Sequence, residues 1–485
     1  GSASGGGSAS GGGSASGGGS ATDGGAWSPA VLIQPDLSNS HQGVILGGGT
    51  HLAVDSEGNA VVVWDQQVPG ASMLESDCWA AYAATSLPDG GWSAGERLDV
   101  DDNGRRAPSP TAVRVEMDGA GNALATWFQL DRLGPVQRAW YARRPKGGAW
   151  TAPALLALPK DAGVVEAADL FPVAAVDSSG RTLVLLEHGN TGNDVKLWAA
   201  ELLADGGTVD AQQVLPGQFS YNTSHLALVT PSGELGAAAV GHSDHGVYAV
   251  RFSRARMPGN RWTPQVQVGT WVDQSQVANA DRPRYSLAMG AAGDAVLVWE
   301  RRETGGFSVW AARSSATADW AAGVSLTPDG GYDSDPSVGV DSSGTAVLTY
   351  RHHLSQNGST EVWARRGFAD GGWEAPVLVG TDPAGGSVTG TFVPVRVRAD
   401  GSAVVSYERA SEFAAYAAVY FPGLGWSAPV KIDTAASGAT LYDDFFGVGL
   451  ANADLALTPT GATVVWTRQH QQMTRLNTIW GARLK

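Results

Sequence analysis

A glycine that closes a short Asp-rich turn recurs at Gly58, Gly121, Gly180, Gly233, Gly293, Gly344, Gly401 and Gly461, with spacings of 51 to 63 residues. Val340 to Trp373 shows the unit around it in full. A short strand enters the turn DSSG, and a second strand, TAVLTY, ends on an aromatic. A variable loop leads to a third strand, EVWARR, and a Gly-rich turn to a fourth, WEAPVLV. The second strand closes on Trp64, Trp127, Trp299, Tyr350, Tyr407 and Trp466 in six copies. Of 18 tryptophans, only Trp271 falls outside a repeated position. Such regularity assigns the tryptophans to packing, as large apolar plates between neighbouring units.

Four antiparallel strands in about 50 residues is the size and grammar of one β-propeller blade. The expected fold is therefore all-β, a single eight-bladed β-propeller, with seven blades as the fallback if the divergent fourth copy is not one. The eighth copy stops at IWGARLK, after its third strand, and AWSPAVLIQ at Ala26 to Gln34 reads like the missing fourth. An N-terminal strand completing the C-terminal blade would close the ring and remove exposed sheet edges. The repeat overrides the length-based expectation of several domains, because each blade buries its faces only against neighbours. Residues 26–485 are read as one propeller domain.

Residues 1–25 are Gly, Ser and Ala repeats that cannot bury a core, hence a flexible coil spanning roughly 25–30 Å. The absence of an initiator Met and signal peptide reads as processing or engineering at the start. An engineered linker and the tether of a lipid-anchored protein both fit; the DGG idiom shared with the blades favours the tether. Lys plus Arg number 32 against 47 Asp plus Glu, for a net charge of −15. No basic surface stands out, which argues against nucleic acid as a partner. No run of 18 apolar residues exists to span a membrane. The one cysteine, Cys78, has no internal partner and reads as a small buried hydrophobe.

Candidate site residues follow from the repeat. The short turns carry Asp55, Asp177 and Asp341, which are expected to bond their own backbone. Asp65, Glu187, Glu300, Arg351 and Glu408 all fall in one register, immediately after the second strand's closing position. They are expected to surround the channel mouth, with Arg301, His352, His353, Arg409, Arg468 and His470 close behind. Such a set can hold a polar ligand, satisfy itself as ion pairs, or support acid–base chemistry if two carboxylates approach about 5–9 Å. The loop DVDDNG offers Asp99, Asp101 and Asn103 at a Ca²⁺-like spacing, but Pro110 stands where the acidic twelfth position belongs, so a solvated turn is expected. Ca²⁺ is the only cofactor considered. A second loop carries Leu441, Tyr442, Phe445 and Phe446, either an interaction site or a plug for the channel.

The unit D-x-x-G-x-A-x-x-x-W … W-A-R-R … G-G-W-x-A-P resembles the repeat of secreted or lipid-anchored propellers of bacterial envelopes, over Ala26 to Lys485. That resemblance implies the fold and an extracytoplasmic location, outer-membrane-tethered or secreted, and no reaction. Sialidases carry an S-x-D-x-G-x-x-W box between the third and fourth strands. Here D-x-x-G lies between the first and second, so their arginine triad does not transfer. Bacterial propeller lectins use a W-S-x-W-like fourth strand, similar to GWSA at Gly91 to Ala94 and at Gly425 to Ala428. Three functions are expected in order. The first is a non-enzymatic scaffold that binds an envelope or extracellular protein through its loop face. The second is a glycan-binding propeller lectin, and the third a glycoside hydrolase using Glu300 and Glu408.

Overall fold

The structure is a computed structural model. It describes residues 26–34, 50–67, 79–100, 110–130, 137–156, 168–176, 182–190, 194–203, 208–219, 225–229, 235–240, 246–252, 266–271, 284–303, 306–315, 318–327, 332–355, 358–385, 387–389, 393–412, 414–434, 454–458, 460–469 and 477–484. Among these the chain is all β, with 34 strands. No helix among them is long and apolar enough to cross a membrane.

The strands form small antiparallel sheets in chain order. After β1 (Val31–Gln34) come β2 (His51–Val54), β3 (Ala60–Gln67), β4 (Trp79–Thr85) and β5 (Glu96–Arg97), which make one sheet in that order. The next is β6 (Thr111–Met117), β7 (Ala123–Leu130), β8 (Gln137–Arg144) and β9 (Ala154–Leu155). Then follow β10 (Ala168–Val176), β11 (Thr182–Asn190), β12 (Asp194–Leu202) and β13 (Thr208–Phe219). The strands β14 (His225–Val229), β15 (Leu235–Val240), β16 (Gly246–Phe252) and β17 (Val266–Thr270) form another.

Next are β18 (Tyr285–Met289), β19 (Ala295–Glu303), β20 (Gly306–Ser314) and β21 (Val324–Ser325). They join β22 (Tyr332–Val340), β23 (Ala346–His353), β24 (Thr360–Gly367) and β25 (Val377–Gly380) through one parallel pairing, Phe307 with Tyr332. In the following sheet β28 (Ala403–Arg409) and β29 (Ala414–Phe421) are central. β26 (Val388–Thr389) and β27 (Val395–Val397) flank one side, and β30 (Gly425–Trp426) and β31 (Val430–Lys431) the other. The last sheet runs β32 (Asp454–Leu457), β33 (Ala462–Gln469), β34 (Asn477–Leu484) and finally β1, so the N-terminal strand pairs with the C-terminal one.

The second strand of each unit is a nearly continuous apolar run, such as AVVVW and AVLVW. Runs of this kind belong to strands covered on both faces, and Trp64, Trp127, Trp299 and Trp466 are indeed fully buried. Among the described residues, neighbouring sheets share cores. Ile33, Val465 and Ile479 from the last sheet pack with Leu52, Val62 and Trp64 from β2 and β3. Leading strands meet in sequence: β2 with β6, β6 with β10, β10 with β14, β14 with β18, β18 with β22, β22 with β27, β27 with β32, and β32 with β2.

One hydrogen bond repeats across these junctions. Val338 N–H donates to Ser286 Oγ at 3.2 Å, and Val395 N–H to Ser337 Oγ at 3.1 Å. At the junction of last to first sheet, Leu52 N–H donates to Asp454 Oδ2 at 2.9 Å. Ser286, Ser337 and Asp454 are equivalent, since each pairs with the residue before its second strand's closing aromatic: Val298, Thr349 and Val465. Arg483 also lies over the Trp92 ring at 5.6 Å, from the last strand to the first sheet.

The turns behave as expected where they are described. Asp55 Oδ1 accepts from the Glu57 and Asn59 N–H groups at 2.9 and 2.8 Å, and Asp341 Oδ1 from those of Ser343 and Thr345 at 2.8 and 2.9 Å. Asp118 repeats the pattern, and Asp177 lies outside the described residues. The turn glycine is needed twice over. Gly121 has φ 91°, and a Cβ there would sit 2.8 Å from Asp55 Oδ2 of the preceding sheet. Gly119 in the same turn faces open space. Gly121→Ala is therefore expected to destabilise the protein by about 1–3 kcal/mol and Gly119→Ala by under about 0.5 kcal/mol, as read by urea unfolding. Equal effects would show that the turns do not dock.

Candidate functional site

A dense group of ionisable side chains lies where β18 and β22 begin and β19 and β23 end. Its centre is Asp335. The pairing of β22 with β23 slips between Ser334 and Ser337, where Pro336 has no N–H to give the ladder. Within this bulge Asp335 takes φ 55°, the one positive φ outside glycine among the described residues. A strained, fully buried carboxylate persists only where its surroundings hold it. Arg284, just before β18, pairs with Asp335 Oδ1, and Arg351 of β23 pairs with Oδ2. Ser334 Oγ donates to Oδ2 at 3.0 Å and shares a second 3.0 Å hydrogen bond with His353 Nε2. The Asp335 N–H donates to Glu300 Oε2 at 3.3 Å. Beside this group, His352 Nδ1 lies 2.7 Å from Asp333 Oδ1, with its ring edge-on to Trp363.

Two groups here have proton affinities far from their ordinary values. Burial pushes the Glu300 carboxyl up to about 7, against the pull of Arg284, Arg351 and Arg302. Burial, then the positive neighbours Arg351, His352 and Arg284, holds His353 down at about 4, so its imidazole is neutral at pH 7. Arg351 is lowered by burial, and Arg284 by burial and then by Arg351. A carboxyl poised near neutral pH can both give and accept a proton.

The structure brings together Glu300, Arg351 and His353 of the expected set, with His352 beside them. Asp65, Glu187 and Glu408 share Glu300's register and are buried, each within its own sheet. Arg301 stacks over Trp310 at 4.5 Å, and Arg409 over Tyr416 at 3.9 Å. Arg468 stands opposite Thr478 in β33. His470, Leu441, Tyr442, Phe445 and Phe446 lie outside the described residues. So do Asp101 and Asn103. Asp99, the first residue of the Ca²⁺-like spacing in the loop expected to be a solvated turn, is buried and accepts from Arg97 Nε and Nη2 at 2.8 and 2.7 Å. Among the described residues no group of three or more His, Cys, Asp or Glu is arranged to hold a metal ion. Arg284, Ser334 and Asp335 escape the repeat because they precede or open first strands. The string DSDP, with a proline after an acidic residue inside a strand, is the signal that marks the bulge.

A second charged group lies among the leading strands. Arg114 and Glu116 of β6 face Asp454 of β32, which also pairs with Arg396 of β27 at 3.4 Å. Burial, then the charge of Asp454, pushes Glu116 up to about 7.

No protein-family model and no curated protein matches the chain. Among solved structures it is similar to a polysaccharide lyase, Uly1, at 8% identity over 94% of this chain and 100% of that one, with a TM-score of 0.45. It is similar to the Aleuria aurantia lectin in complex with Fucα1-6GlcNAc at 11% identity, over 82% and 100% of the chains, with a TM-score of 0.37. It is also similar to the intramolecular trans-sialidase from Ruminococcus gnavus at 11% identity, over 79% and 90%, with a TM-score of 0.36. The expectation that the chain is not an enzyme is corrected at this point, since two of these structures are of enzymes. The coarse agreement is with a β-rich, propeller-like fold.

The Glu300 shift sets a pH dependence whose sign is fixed. Its carboxyl is raised from 4.5 to about 7 in the folded state. The protonated form favours folding, so its contribution is present below about pH 4.5 and is lost as pH rises through about 7. His353 works the other way, since a depressed imidazole costs stability as pH falls from 6.5 through about 4. The comparison of Glu300→Gln with wild type isolates the carboxyl. The variant is expected to match wild type near pH 4.5 and to be more stable by about 1–3 kcal/mol at pH 8. A difference independent of pH would contradict the placement of Glu300.

Proposed function

We propose that the protein binds a carbohydrate at the Glu300–Asp335 cluster and that Glu300 transfers a proton in chemistry on it. The observation that carries this reading is the convergence of Glu300, Arg284, Arg351, Asp335, Ser334 and His353 at one end of two adjacent sheets. Most of these are planar groups with fixed donors and acceptors, suited to hydroxyl and ring oxygens. A protein-binding face would instead present exposed apolar anchors. The exposed apolar residues of the described chain are dispersed: Leu155, Val324, Val377, Leu378 and Val430 lie on outermost strands, and Leu424 and Leu354 stand singly, the latter next to His353. The carboxylate next to Glu300 is Asp335 and not Glu408. The full chain is expected to be retarded in native gels containing a glycan that it recognises and to convert that glycan. Glu300→Gln should keep the retardation and lose at least about a hundredfold in turnover. Retardation with unchanged turnover in the variant would remove Glu300 from the chemistry.

The fold reading is extended in the same way: the sheets are taken as eight blades of one closed ring, completed by β1. Support comes from the Leu52–Asp454 bond, which reproduces at the last junction the bond made at interior ones. An extracytoplasmic site of action, tethered through residues 1–25, belongs to this proposal. Deleting residues 1–25 should leave the melting temperature within about 1 °C, whereas deleting 1–34 bares the β34 edge and should lower it by more than about 10 °C with self-association. Equal melting temperatures would argue against the clasp.

A further inference from the structure

We infer that the sugar bound at this cluster carries an anionic group, a carboxylate or a sulfate ester, which is met by Arg284 and Arg351. The inference rests on the carbohydrate reading above and narrows it. Two guanidiniums converge on one carboxylate, Asp335, with Glu300 and the Asp333–His352 pair beside them. The exposed members of the trio are the positive ones. The side chains of Arg284 and Arg351 are 37% and 15% exposed, and that of Asp335 is 0% exposed. An approaching ligand thus meets guanidinium forks before it meets a carboxylate.

After burial, Arg351, His352 and Arg284 all contribute to holding His353 down, and Arg351 lowers Arg284. Burial raises the Glu300 carboxyl to about 7, so part of its population is protonated near pH 7. A neutral hydroxyl gains ordinary hydrogen bonds at such a site. An anionic oxygen gains charge-assisted ones, roughly twice as strong and matched in geometry to the guanidinium plane. Elsewhere the acidic surface repels polyanions, so attraction of one would be local to the cluster.

The test is native affinity electrophoresis of the full chain at pH 7 in gels containing one polymer each. Pectate and methyl-esterified pectin form a pair differing in carboxylate charge. Carrageenan and a neutral galactan form a pair differing in sulfate, and alginate, chondroitin sulfate and dextran extend the panel. Retardation at least about tenfold stronger for an acidic polymer than for its neutral partner is the expected result, and the retarding pair identifies carboxylate or sulfate. Arg284→Ala should weaken it about ten- to hundredfold, and Arg284→Lys should restore most of it. Because loss in the alanine variant could reflect misfolding, the His353 imidazole is followed by NMR in wild type. Its titration midpoint should rise when the acidic polymer binds. Equal or stronger retardation by neutral polymers overturns the anionic assignment and leaves the carbohydrate reading standing. No retardation in any gel overturns both.

Discussion

The described sheets of this chain have apolar faces that they cannot cover themselves, and the coverage comes from the neighbouring sheets. The second strands show why. Residues such as Val61, Val62, Val63 and Trp64 are all buried, so both faces of the strand need a partner. Burying side chains of this size contributes about 1.5–3 kcal/mol each. The polar backbone must be satisfied at the same junctions, and the bond from Val338 to Ser286, and from Val395 to Ser337, does that. Where the last sheet meets the first, Asp454 stands in for serine and accepts from Leu52. The exchange puts a charge among the leading strands, and Arg396 answers it directly.

The candidate cluster follows from the same packing. The β20–β22 pairing places β22 beside the preceding strands, and the end of β19 and the start of β22 come within hydrogen-bonding reach. A regular strand at this place would continue its ladder. The bulge at Asp335–Pro336 breaks it, turns the Asp335 carboxylate into the junction and leaves its N–H for Glu300. Strain at one residue is thereby exchanged for two ion pairs, and burial of the whole group moves Glu300 and His353 away from their ordinary proton affinities.

The sheets were legible in the sequence because what makes them is local and repeated. Gly58, Gly121, Gly293, Gly344 and Gly401 all take positive φ, and the aromatic closing positions name the buried plates. The pairing of β1 with β34 was legible because AWSPAVLIQ repeats a pattern otherwise missing at the far end. The site was legible in half. Register placed Glu300, Arg351 and His352 at the same end of their strands. It could not supply Arg284, Ser334 or Asp335, which open first strands whose entrances follow no repeat. Register also says nothing of depth: Asp65 and Glu187, expected at a channel mouth, are wholly buried. The proposed function was least legible, because the repeat encodes packing and the proposed chemistry depends on departures from it.

The central claim is that two guanidiniums converge on Asp335 beside Glu300 and His353. The measurement that tests it most directly is the NMR titration of the His353 imidazole in the unliganded protein. The account predicts a midpoint of about 4, moving toward the ordinary value of about 6.5 in Arg351→Ala. A wild-type midpoint near 6.5 would contradict it, because a half-buried imidazole beside those arginines holds its proton less well than a free one.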